Sequence, residues 1–242
     1  MRAPRSSGAS GPAGPGAAPA PRQPGTEQAD DGVTGEPDST SEGHAGPDEP
    51  TRRWAVVLAG HLGDEAAARA GIGNPSAVVR ASALGALARL GALDDGALVA
   101  ALGDPDWGVR RRACELAATR PGVGLAAVLD DPEPLVVEMA AWALGEQGSN
   151  ADVDALARVA AGHEDPLCRE AAVAALGAIG DERGLPAVLA ALDDRPAVRR
   201  RAAAALAAFD DPAADDGLRR CLTDRDWQVR QVAEDLLGID PA

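Results

Sequence analysis

The chain has 242 residues, a formal net charge of −15 and little aromatic surface, with four Trp, one Phe and no Tyr. So few aromatics exclude a stacking platform for single-stranded nucleic acid. The acidic balance opposes a phosphate-binding surface, which needs clustered positive charge. Three scattered cysteines, Cys114, Cys168 and Cys221, make neither a disulfide framework nor a paired zinc signature. No apolar run approaches the length of a membrane span and no ordinary signal peptide opens the chain, so a soluble, reduced, cytoplasmic protein is expected.

Residues 1–50 come first. Gly and Pro make up about a third of them, above the level that marks non-periodic low complexity. The stretch turns acidic from Glu27 onward, and Val33 is its lone large apolar residue. Such a segment cannot bury enough surface to offset its ordering entropy, so a disordered tail is expected over 1–50 and a folded domain over 51–242. Alanine, about 55 residues in all, dominates the rest and costs no side-chain entropy in a helix. All 23 basic residues are Arg.

From Thr51 the chain repeats at about 30 residues. Six units align on Arg80, Arg110, Val137, Arg169, Arg199 and Arg230, taken as position zero. One place earlier stand Val79, Val109, Val136, Cys168, Val198 and Val229, and three places later Ala83, Ala113, Ala140, Ala172, Ala202 and Ala233. Further apolar residues at +6, +7 and +10 complete one face of a helix. Asp six places before zero reads as the helix cap, and Gly91, Gly148 and Gly180 read as left-handed stops. The last unit lacks such a Gly at its eleventh place. Residues 52–63 fit the same frame as a leading half-repeat. Shorter apolar segments at 96–102, 123–129, 152–161, 183–192 and 215–222 supply a first helix to the later units. One helical pair cannot bury its apolar stripe alone, whereas stacked pairs can. The expected fold is all-α, an α-solenoid of about six helical-pair repeats behind a half-repeat.

The runs Asp104-Pro105-Asp106 with Val109-Arg110, Asp165-Pro166 with Arg169-Glu170-Ala171-Ala172, and Arg195-Pro196-Ala197-Val198-Arg199 resemble the HEAT-like repeat family, in its short-unit form associated with bilin lyases. The resemblance covers residues 52–242. It implies a right-handed solenoid whose second helices line a concave face. It also implies that the zero-position Arg pairs with the turn Asp and ties each helix to its turn. Val137 departs from that pattern.

The enzymatic relatives give little to build on. Deoxyhypusine hydroxylases carry paired His-Glu motifs for two irons. Here His163-Glu164 stands alone and reads as a capping variant, so no metal and no cofactor is expected. No Cys or Ser has an evident His partner, and no catalytic set is assigned. Cys168 and Cys221 read as buried hydrophobes, and burial decides whether Cys114 could react. DNA binding of the glycosylase kind is opposed by the charge of the repeat region, 20 Arg against 30 acids.

Positions +1, +2, +5 and +9 remain to face the groove. Trp142 and Met139 there have hot-spot composition, and Arg111, Arg112, Arg200 and Arg201 are expected to select an acidic partner segment. Trp107 and Trp227, at −3, are expected to close their turns by packing, and Trp54 to cap the first helix. The final helix shows Leu236, Leu237 and Ile239 with no neighbour after it, so another chain, a second copy included, is expected to cover that end. The functional expectation is a non-enzymatic scaffold or adaptor that binds a protein. The alternative is an enzyme, or enzyme subunit, of the bilin-lyase or hydroxylase kind.

Overall fold

The computed structural model describes residues 48–239, and the expected tail lies outside the described residues as far as residue 47. The helices run α1 (Glu49–Leu62), α2 (Glu65–Ala70), α3 (Ala77–Leu90), α4 (Asp95–Leu102), α5 (Trp107–Ala117), α6 (Pro134–Gln147), α7 (Val153–Gly162), α8 (Pro166–Ile179), α9 (Leu185–Ala190), α10 (Pro196–Ala205), α11 (Pro212–Cys221) and α12 (Trp227–Leu237). Among the described residues there is no strand, and no helix is long and apolar enough to cross a membrane.

The periodic pattern becomes a solenoid as expected. α1 is the half-repeat, and each later unit contributes a long second helix: α3, α5, α6, α8, α10 and α12. Each of these packs on the next. The first helices α2, α4, α7, α9 and α11 form the other layer. In the third unit the first helix shrinks to a 3-10 turn, Ala126–Asp130, because Pro121, Gly122 and Gly124 interrupt the segment. The core follows the repeat. All six residues at −1 and all six alanines at +3 are buried.

Small residues set the spacing of the second helices. Gly60, Gly145 and Gly177 share position +8 and face Ala86, Ala175 and Ala205 at +6 of the following unit. A Cβ on Gly177 would stand 2.6 Å from the Ala205 Cβ, so this approach requires glycine.

Five of the six turns are closed by the −6 side chain, and Asp106, Asp165 and Asp226, two residues further on, cap their helices. Asp104 Oδ1 accepts the Asp106 N–H at 2.9 Å, and Asp106 then accepts the N–H groups of Gly108 and Val109 at the start of α5. The cap is therefore Asp106, and likewise Asp226 for α12, rather than the −6 residue. His163 plays the same turn role through Nδ1, which accepts the Asp165 N–H at 3.0 Å; it was expected as a capping variant, but the cap of α8 is Asp165. Gly63, Gly91, Gly148 and Gly180 end their helices with positive φ. Gly238 does so as well (φ 66°), so the last helix has the stop it was expected to lack.

The zero-position arginine does more than its expected role. Arg110 Nη1 donates to the carbonyls of Asp104 and Pro105 in its own turn. Its Nε and Nη2 form a bidentate pair with Asp131 of the following turn, at 2.7 and 2.8 Å. Arg80–Asp104, Arg169–Asp194 and Arg199–Asp224 repeat the arrangement. The carboxylate belongs to the next unit, so the ladder ties repeat to repeat. Asp194, and not Asp193 at the aligned position, supplies the third of these rungs. Asp193 lies exposed beside Arg220.

Candidate functional site

The +1, +2, +5 and +9 positions of the second helices open into two adjoining grooves. The larger, with a cavity of about 880 Å³, lies across α5, α6, α8 and α10. Its centre is Trp142, 44% exposed, with half-buried Met139 one turn earlier and exposed Leu167 across on α8. Ala171, Ala174 and Ala178 on α8 are too small to fill the space beside the indole. The smaller groove, about 580 Å³, lies across α1, α3 and α5 and is bordered by Trp107 and Val78, both 44% exposed. Arg111 and Glu115 of α5 line both grooves and join them.

Of the six residues singled out from sequence, Trp142, Met139, Arg111 and Arg201 meet in the larger groove and Arg112 lies in the smaller one. Arg200 lines neither; it donates to Gln228 Oε1 at 2.7 Å. Three of the four arginines are engaged within the protein. Arg112 pairs with Glu115 at 2.7 Å and its Nη2 lies over Gly85, while Arg201 reaches Glu170 at 3.5 Å. Arg111 forms no ion pair among the described residues.

The tryptophans outside Trp142 depart from expectation. Trp107 and Trp227 each occupy the first helical position, and at 44% and 64% exposed they close no turn. The Asp side chains already close those turns and leave the indoles outside. Trp54 sits mid-helix at 71% exposed, since Asp48 caps α1. Leu167, Val78, Arg53 and Arg89 also border the grooves and were not singled out. The −2 position, where both Val78 and Leu167 stand, was the available signal. At the far end of the solenoid Leu236 and Ile239 are exposed, at 44% and 45%.

The cysteines supply no nucleophile to either groove. All three are free and buried. Burial first, then the Asp131 charge, pushes the Cys114 thiol up to about 12. Burial likewise raises Cys168 to about 11, and its thiol donates to the Pro134 carbonyl at 3.2 Å. Among the described residues no group of three or more His, Cys, Asp or Glu could hold a metal ion.

Comparison with known proteins agrees with this architecture. No curated protein matches the chain. Among solved structures, the complex of CpcE and CpcF of phycocyanin lyase from Nostoc sp. PCC7120 is 25% identical, with 72% of this chain and 76% of that one covered and a TM-score of 0.54. The Escherichia coli protein YibA is 18% identical over 81% of this chain and 78% of its own, with a TM-score of 0.63. A designed armadillo repeat protein is 17% identical over 80% and 99%, with a TM-score of 0.52. The last two show likeness of fold alone. The family profile described as HEAT repeats matches residues 97–175, 122–203 and 159–238, well over half of the chain. With six units in one register and a buried face at every one of them, the chain belongs to the HEAT-repeat family.

Proposed function

We propose that the second-helix face is a docking platform for a segment of another protein, and that the chain is a non-enzymatic scaffold or adaptor. The carrying observation is Trp142. A large apolar ring is left 44% exposed beside Met139 and Leu167, over a row of alanines that keeps the space next to it open. In a protein this poor in aromatics, burying that ring would be the usual way to stabilise the core. Left in an open groove with charged rims, it has the make-up of an interface anchor. Arg111 would meet carboxylates of the partner at the Trp107 end, and Arg112 would do so only by leaving Glu115. Self-association through Leu236 and Ile239 is a second, separate contact in this reading. The three free, buried cysteines suit a reducing, cytoplasmic setting.

The test is capture from source-cell lysate by the intact chain and by Trp142→Ala, after both are shown to melt alike. A protein retained by the first and lost by the second supports the platform; equal capture by both overturns it. Likeness to the CpcE–CpcF complex favours one further reading, a subunit of an enzyme. In that case the captured partner, assayed with and without this chain, would show an activity that requires it.

A further inference from the structure

Most guanidinium groups in this solenoid are matched by carboxylates, in the ladder and on the surface. The two grooves are an exception, and the balance of their unmatched charges differs in sign. Around Trp107 stand Arg53, Arg89 and Arg111, which form no ion pair among the described residues, against one unpaired carboxylate, Asp106, which caps α5; Arg111 also reaches the larger groove. Around Trp142 stand Glu138 and Glu146, which likewise form none. Those two glutamates lie four residues before and four after Trp142 on α6, one turn to either side on the same face. The carboxylates that do have partners, Glu115 and Glu170, are offset by Arg112 and Arg201 and leave this balance unchanged.

We propose that the platform reads charge order. It takes an extended segment of a partner protein in which an acidic block, seated beside Trp107, adjoins an arginine- or lysine-rich block seated on Trp142. This rests on the docking reading above and deepens it. A cation over the exposed indole face gains from the ring quadrupole. Glu138 and Glu146 stand within a helical turn of it to receive its neighbours. Arg53, Arg89 and Arg111 receive the acidic block, and α5, shared by both grooves, marks the crossover. Packed helices lie about 8–10 Å apart, so an extended chain advances about three residues per helix crossed. From Arg53 on α1 to Glu138 and Glu146 on α6 is three helix steps, about nine residues, so a ten-residue segment made of two short blocks spans these charges. A uniformly acidic segment, which the arginines taken alone would select, meets like charge at Trp142. A uniformly basic one meets it at Trp107.

The experiment uses four fluorescein-labelled ten-residue peptides and the full chain, read by anisotropy. Two peptides carry four acidic residues, Ser-Gly and four basic residues, in either order. One has the same composition with the charges alternating, and one is basic throughout. One block order should bind about tenfold or more tighter than the alternating peptide, since charge-assisted contacts form only in register. Glu138→Gln with Glu146→Gln should remove that advantage, as should Arg53→Gln with Arg89→Gln, in variants that melt like the parent. The proposal is overturned if the alternating or the all-basic peptide binds as tightly as both block peptides, because the −15 chain is then attracting cations without order. If the peptides show no order while lysate capture still depends on Trp142, the charge order fails and the docking reading stands. If capture is also indifferent to Trp142, both fall.

Discussion

The rung between Arg169 and Asp194 offers a direct measurement of what holds one repeat to the next. Arg169 Nε and Nη2 meet the two carboxylate oxygens at 2.6 and 2.7 Å, and Nη1 meets the carbonyls of His163 and Glu164 at 2.7 and 3.0 Å. The side chains are only 14% and 18% exposed. Two unit charges 4 Å apart at an effective dielectric of 20 attract by about 4 kcal/mol, and desolvation consumes part of that. A bidentate, partly buried pair should therefore retain a net coupling of about 1.5–3 kcal/mol. Asp194→Asn suits the test because its remaining oxygen can still accept the Arg195 N–H. It loses the charge and presents a donor to the guanidinium. It should cost about 2–3 kcal/mol, and Arg169→Met a similar amount, with the double variant well short of their sum.

Urea unfolding followed by circular dichroism reads the four proteins, with the slope checked for constancy because stacked repeats can unfold in parts. The internal control is Arg158–Asp130, 3.4 Å apart with both side chains more than 60% exposed, where the coupling should stay below about 0.5 kcal/mol. If the two cycles give the same small coupling, the rungs are surface decoration and the reasoning fails.

Three further outcomes are expected. Gly177→Ala should destabilise the fold, because overpacking by about 1–3 kcal/mol exceeds the gain of about 1 kcal/mol in helix propensity, and a neutral or raised melting temperature would contradict the close approach to Ala205. The hydrogen bonds from Arg80, Arg169 and Arg199 hold Asp104, Asp194 and Asp224 below the ordinary carboxylate range. A depressed folded-state pKa gives stability that is fully present above the unfolded value of about 4 and is lost as the pH falls through the folded one. The urea midpoint should then hold steady from pH 8 to 5 and drop below pH 4, less steeply in the Asp194→Asn variant; equal acid sensitivity in both would count against the ladder. A thiol reagent at pH 8 should leave Cys114 and Cys168 unmodified in the native chain and react with all three cysteines in denaturant, and rapid native labelling of Cys114 would contradict its burial.

The repeat frame was legible because one physical constraint acts six times. Valine or cysteine at −1 and alanine at +3 are needed wherever a second helix meets its neighbours, and all twelve positions are buried. The groove stripe was legible for the same reason, since positions that avoid the core face must line the other side of the helix. What escaped the sequence depends on the relation between units. Arg110 and Arg199 each have an aspartate in their own turn and in the next, so spacing cannot say which carboxylate they take, and stacking decides for the next. Which arginines are engaged within the protein depends on partners 28 to 31 residues away, such as the Gln228 amide oxygen for Arg200 and the Glu170 carboxylate for Arg201. The exposure of Trp107 and Trp227 escaped because a capping Asp leaves the first helical side chain outside the turn it closes.

Val137 and His163 look in the sequence like two separate departures from the repeat, and the ladder makes them one. An arginine at 137 would reach for the turn residue of the following unit, and that residue is His163, which has no carboxylate to offer. An aspartate at 163 would in turn find no guanidinium. Both halves of the same rung are absent together. In its place the junction between α6 and α8 is held by close packing. A Cβ on Gly145 would lie 2.9 Å from the Ala175 backbone, Val137 is fully buried, and the Cys168 thiol donates to the Pro134 carbonyl. These two helices also share the most extensive contact of any pair in the described chain. α6, whose zero position forms no ionic rung, is the helix that carries Trp142. Its seat against α8 therefore rests on apolar contact, which neither acid nor salt weakens in the way they weaken guanidinium–carboxylate pairs. As the pH falls, the neighbouring junctions should loosen first, while the floor of the larger groove keeps its shape.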